Sequence, residues 1–155
     1  TTPPATAVAA TDNEIEAPAE QRRKRVVLFV PFHWFFADQY TAVTSALRNC
    51  SIDWIVASSQ AGEASAKHNE FRVPVDVTLD ELQFDPGEYD GMLFIGGNVV
   101  PEFGHKDPGA QEFVRQALQT CLDSGGIAAS VSNGADAVTE CCQLPGGLRR
   151  EASGR

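Results

Sequence analysis

The chain has 155 residues, 43% of them apolar and 21% charged, with a formal net charge of -9 from 12 basic and 21 acidic side chains. That length holds the core of one ordinary domain, and the acidic balance works against a nucleic-acid or anionic-membrane surface. No apolar run reaches the ~20 residues of a bilayer-spanning helix; the longest, residues 26–31, is strand-sized.

Residues 1–21 are rich in Thr, Pro, Ala and Glu, with Val8 and Ile15 the only large aliphatic side chains. Such a stretch cannot offset its ordering entropy by burial, which predicts a disordered leader before a domain over residues 22–155. An opening at Thr1, without a methionine, predicts that an upstream segment has been removed, and the chain is expected to be cytoplasmic, or exported if that segment was a signal peptide. The basic cluster Arg22-Arg23-Lys24-Arg25 reads as the solvated start of the first strand.

Val26-Val27-Leu28-Phe29-Val30, closed by Pro31, has the continuous apolar character of a strand buried on both faces. Residues 38–49 follow with helical spacing, Tyr40, Val43, Ala46 and Leu47 sharing one face. Residues 52–58 read as a second strand and 59–66 as a polar turn region. Residues 70–77 alternate weakly, as a minor strand or hairpin arm would, and a short helical turn starts at Leu79. Asp85-Pro86-Gly87 is a turn, and residues 91–95 form another buried strand ending in Gly96-Gly97-Asn98. Residues 110–122 predict an amphipathic helix with Phe113, Val114, Ala117 and Leu118 inward, stopped at Ser124-Gly125-Gly126. A strand over 127–131 and a helix over 135–142 complete the pattern.

Strands alternating with helices imply a parallel sheet covered on both faces. Chemistry then belongs at the carboxyl edge of the strands, from which the loops 31–37, 96–107 and 132–134 emerge. The most informative segment is Ile127-Ala128-Ala129-Ser130-Val131-Ser132-Asn133-Gly134-Ala135. A strand running into Ser-Asn-Gly and straight into a helix has the layout of a nucleophile elbow, which holds a side chain exposed at a sharp turn.

With Tyr89-Asp90-Gly91-Met92-Leu93-Phe94-Ile95-Gly96-Gly97-Asn98, this elbow makes residues 25–148 resemble the ThiJ/PfpI family of the class I glutamine amidotransferase-like superfamily. In that family a YD-hydrophobic-GG-N strand end precedes a helix and an A-x-x-C-x-G elbow. The resemblance implies an α/β fold, a flavodoxin-like three-layer sandwich with a mostly parallel central sheet and helices on both faces. It also implies frequent homodimerisation and activities that include glyoxalase or deglycase, hydratase, peptidase, chaperone and redox sensing. It places the family's cysteine on Ser132 and the oxyanion-hole amides on Gly97 and Asn133, with Gly96 and Asn98 lining the pocket. The acid that hydrogen-bonds the family's cysteine, counted back from Cys50, falls on Asp38. The family's histidine falls around Glu151-Ala152-Ser153, where there is none, so the domain reads as short at its carboxyl end.

A serine hydroxyl needs an adjacent general base that a low-pKa thiolate does not. Two functions follow. The first is a binding or stress-related module without the family's cysteine-based catalysis. The second is a serine-nucleophile hydrolase or amidotransferase-like enzyme acting on a small carbonyl or amide, with Asp38 or one of the loop histidines, His33 or His105, handling the proton. Asp38 is equally suited to N-cap the first helix, and Trp34, Phe35 and Phe36 to cap the core, line a pocket mouth or meet a second copy. The pattern is compatible with a small-molecule ligand and points to no cofactor. Cys50, Cys121, Cys141 and Cys142 show neither metal-type spacing nor a C-x-x-C pair. Cys141 and Cys142 are adjacent, poor geometry for a mutual disulfide, so buried or half-buried thiols are expected and redox sensing through them is a minor alternative.

Overall fold

The computed structural model describes residues 22–149; the expected leader and the last six residues lie outside them. The elements are β1 (Arg25–Phe29), β2 (His33–Phe35), α1 (Ala37–Asn49), β3 (Asp53–Ser58), β4 (Glu63–Ala66), β5 (Arg72–Pro74) and β6 (Val77–Thr78). There follow β7 (Gly91–Phe94), α2 (Val99–Phe103), α3 (Pro108–Asp123), β8 (Ile127–Ser130), a 3-10 turn (Ser132–Ala135) and α4 (Asp136–Cys142). Five strands form one sheet in the order β6-β3-β1-β7-β8, every pairing parallel.

The sheet is an α/β sandwich of flavodoxin-like build. On one face Val27, Phe29, Met92 and Phe94 pack against α2, α3 and α4 through Phe103, Val114, Leu118 and Ala137. On the other, Leu28, Val30, Val56 and Ile95 pack against α1 and a small sheet of β2, β4 and β5. Successive residues of β1 point to opposite faces, and both faces are apolar, so the strand must be an unbroken hydrophobic run. At the centre, Phe29 stacks on Phe94 with ring centroids 4.6 Å apart and meets Phe103 edge-on at 6.1 Å.

The basic cluster is consumed at the amino edge of the sheet. Arg22 pairs with Asp90, Arg23 with Asp53 and Arg25 with Glu88. Burial alone would raise the Asp90 carboxyl, but the Arg25 amide and the Arg22 guanidinium hold it below its ordinary value. A concavity of about 680 Å³ between these side chains is therefore lined by charges that neutralise one another.

Three sequence expectations are corrected. The polar turn region contains β4, whose Ala64 and Ala66 are buried; small residues become a strand here because β2 and β5 pair with it on either side. Phe113 is 40% exposed rather than core, since the buried stripe of α3 runs through Ala110, Val114, Ala117, Leu118 and Cys121 and leaves Phe113 on its flank. Asp38 does not cap α1: the helix starts at Ala37, Phe36 occupies the N-cap position, and Asp38 lies in the first turn. Asp107 does cap, accepting from the Ala110 amide in front of Pro108 at the head of α3. Among the described residues, no helix is long and apolar enough to cross a membrane.

Candidate functional site

Strand order reverses at β1, with β3 on one side and β7 on the other. At such a switch point the loops leaving adjacent strands diverge and open a crevice at the carboxyl edge. The loop after β1 and the Gly96-Gly97-Asn98 turn after β7 border it, locked together by the Phe36 amide donating to Gly96 O and by a bridge between Phe35 and Gly97. The elbow comes up beside them from β8.

Ser132 has φ +53°. A side chain in the left-handed region is uncommon outside Gly, Asn and Asp, and costs on the order of 1–3 kcal/mol that the surrounding structure must hold in place. Two contacts hold it. The Val131 amide donates to Phe94 O at the end of β7. Gly134 packs so closely that a Cβ there would lie 2.3 Å from the same carbonyl oxygen. Ser132 is exposed at the tip of this turn, the attitude of an elbow residue.

Asn133 clasps the neighbouring loop at both ends of its carboxamide. Its Oδ1 accepts from the Gly97 amide at 2.9 Å and its Nδ2 donates to Gly97 O at 2.8 Å. Gly97 itself has φ +137°, and a Cβ on it would meet Trp34 O at 2.3 Å, so glycine is required there. The Gly97 N–H assigned to an oxyanion hole is thus engaged; an oxyanion would reach it only by displacing the Asn133 oxygen. The Asn133 N–H has no acceptor among the described residues.

Asp38 is not brought to the elbow. Its Oδ1 accepts from the amide of Gln39 at 2.9 Å and the side chain is exposed. The next residue does the reaching: Gln39 Oε1 accepts from the Gly96 amide at 2.9 Å, across the switch point. The side chain of this helix that reaches the Gly96-Gly97 turn is thus a carboxamide, and Asp38 makes no hydrogen bond to Ser132 among the described residues.

Neither loop histidine serves the serine. His105 donates its amide and presents Nδ1 to the buried Glu140, at 2.6 and 2.7 Å. Burial would raise the Glu140 carboxyl, yet these two contacts keep it below its ordinary value. Glu140 lies one 3-10 turn and one helical turn beyond Ser132, roughly 14 Å along the chain axis at about 2 and 1.5 Å per residue. The ring of His33 stands against Gln60 and Phe32. Among the described residues, the Ser132 hydroxyl has no hydrogen-bond partner, and no group of three His, Cys, Asp or Glu side chains is placed to hold a metal.

Two further residues organise this edge. Glu102 on α2 is 7% exposed, and its carboxylate accepts from the Phe32 amide (2.5 Å), the His33 amide (2.9 Å), Ser59 Oγ (2.9 Å) and Asn98 Nδ2 (3.1 Å). It binds three loops to one another. Lys67, just after β4, lies over the Phe36 ring at 5.6 Å. With Trp34, Phe36, Gly97, Asn98 and Asn133 it lines a pocket of about 210 Å³ next to the elbow.

No curated protein matches the chain. Among solved structures it is similar to a two-domain protein with DJ-1/ThiJ/PfpI-like and ferritin-like domains from Anabaena variabilis, at 19% identity and TM-score 0.61, covering 76% of this chain and 32% of that one. A ThiJ/PfpI domain protein from Brachyspira murdochii aligns at 18% identity and TM-score 0.61, covering 76% of this chain and 66% of that one. Schizosaccharomyces pombe DJ-1 aligns at 11% identity and TM-score 0.57, covering 83% and 76%. The chain spans less than two thirds of the first two, and the likeness is one of fold. The family model described as DJ-1/PfpI matches residues 24–147, from the start of β1 to the turn after α4. The chain therefore belongs to the DJ-1/PfpI family.

Proposed function

We propose that this chain is a binding or stress-related module of the DJ-1/PfpI family that does not carry out the family's cysteine-based catalysis. One observation carries the reading: an elbow hydroxyl at Ser132 that is exposed and hydrogen-bonded to no acid, histidine or lysine among the described residues. A neutral serine is a poor nucleophile without a group to take its proton. The side chain that reaches across the switch point is the uncharged Gln39, and its oxygen is engaged by the Gly96 amide. The reading includes a small-molecule ligand in the pocket beside Asn133. It also includes a homodimer, favoured by Ile127, 73% exposed on the outer strand β8.

A second reading, a serine-nucleophile hydrolase, is favoured by the positive φ of Ser132, the strain expected of an elbow that presents a nucleophile. A serine-directed fluorophosphonate followed by intact-mass measurement separates the two. The binding-module reading expects no adduct. A stoichiometric adduct that maps to Ser132 and disappears in Ser132→Ala would overturn it in favour of the enzyme.

A further inference from the structure

Most of the amide groups that line the pocket beside the elbow are engaged within the protein. Asn133 Oδ1 receives the Gly97 amide, and Gly97 O receives both the Val99 amide and Asn133 Nδ2. The carboxylate that touches the lining, Glu102 through Asn98, divides its two oxygens among four donors. The positive charge is not engaged. Lys67, like Arg48, Arg72 and Lys106, forms no ion pair among the described residues, and of these four it is the one that lines this pocket.

An uncompensated ammonium at a concave site therefore stands out in a chain of net charge -9. Exposed to solvent, it lies over the Phe36 ring at 5.6 Å, along the pocket wall. Trp34, 61% exposed and also on the lining, adds a second aromatic surface. A pocket with one unpaired cation and two aromatic rings suits a ligand that is planar, apolar over most of its surface and anionic at one end.

We infer that Lys67 makes this pocket a receptor for small planar carboxylates, the carboxylate meeting the Lys67 ammonium and the flat body lying against Trp34 and Phe36. The inference rests on the binding-module reading and names the ligand class of that same site.

Benzoate and its neutral isostere benzamide are the test pair, titrated into the protein while backbone amide shifts are followed by NMR. Benzoate is expected to shift Gly97, Asn98 and Asn133 and to bind about tenfold more tightly than benzamide, the scale of one charge-assisted contact. Lys67→Met is expected to remove that preference, while Lys67→Arg restores most of it. Lys67 is exposed, so these variants keep the fold. Equal binding of the two ligands, full benzoate affinity in Lys67→Met, or shifts at none of the three amides would overturn the inference. The fluorophosphonate result is independent. An adduct on Ser132 would sink the binding-module reading and leave the benzoate preference standing, whereas loss of the preference without an adduct would sink the carboxylate inference alone.

Discussion

Replacing Glu102 by Gln is nearly isosteric, so its effect isolates hydrogen-bond chemistry from packing. The native carboxylate offers only acceptors, and four donors converge on it. A carboxamide keeps one acceptor oxygen and points an NH₂ at the other pair of donors. Ser59 can turn its hydroxyl and Asn98 can flip its amide to adapt. The Phe32 and His33 amides cannot, so one part-buried backbone N–H loses its acceptor in either orientation. One orphan costs about 1–3 kcal/mol, and exchanging charged for neutral acceptance at the remaining contacts adds about 1 more. The expected loss is about 2–4 kcal/mol, a large part of the ~5–15 kcal/mol that stabilises a typical domain. Thermal unfolding should show Tm lower by roughly 6–12 °C, at about 3 °C per kcal/mol for a domain of this size. Hydrogen exchange should quicken at Phe32 and His33 before it does in β1. A variant within about 0.5 kcal/mol of the parent, the range of ordinary surface substitutions, would refute the account of Glu102 as the tie between these loops.

Gly134→Ala places a methyl group against Phe94 O, where the native spacing leaves 2.3 Å. Chemical denaturation should show a loss of about 1–3 kcal/mol, as for an overpacked site, and unchanged stability would mean that the elbow is not pressed onto β7. The cysteines should react unequally. Burial pushes the Cys121 thiol up to about 11 and Cys141 to about 12, while Cys50 and Cys142 are exposed. Iodoacetamide at pH 8 should label Cys50 and Cys142 first, by peptide mass mapping, and equal labelling of Cys141 would contradict its burial. The buried thiols have folded pKa values above their unfolded ones. Their contribution is therefore complete below the unfolded value, near 8.5, and is lost as pH rises from there towards 11 and 12.

The central strands of the sheet were legible because parallel strands covered on both faces must be apolar throughout, as in Val26 to Val30. The elbow was legible because Ser132 sits between a strand and a helix with Gly134 two positions on. The partners of the elbow were not. Counting along the chain placed the reaching side chain at Asp38 when Gln39 does the reaching. On a helix one position is about 100° of rotation, enough to turn a group from solvent to the crevice. Glu102 falls within the loop read over residues 96–107, and nothing local records that Phe32, His33, Ser59 and Asn98 converge on it. Lys67 and β4 were hidden for a similar reason. Their surroundings come from β2 and β5, and a run such as Glu-Ala-Ser-Ala has no β preference of its own. Asn133 was chosen for its backbone, and its side chain turned out to make the clasp.

The position of β8 has a consequence for motion. Among the described residues this strand is the outermost of the sheet, hydrogen-bonded to β7 alone, and Ile127, Ala129 and Ser130 along it are exposed. Local opening of a structure starts where backbone is held from one side and little apolar surface is buried. The elbow hangs from the end of this strand. Peeling β8 from β7 would release Val131 from Phe94, relax Ser132 out of its left-handed conformation and withdraw Asn133 from Gly97. The pocket wall and the sheet margin thus form one unit of fluctuation. A ligand seated against Asn133 would slow amide exchange along β8 as well as at the pocket, fastening the rim of the sheet to its centre.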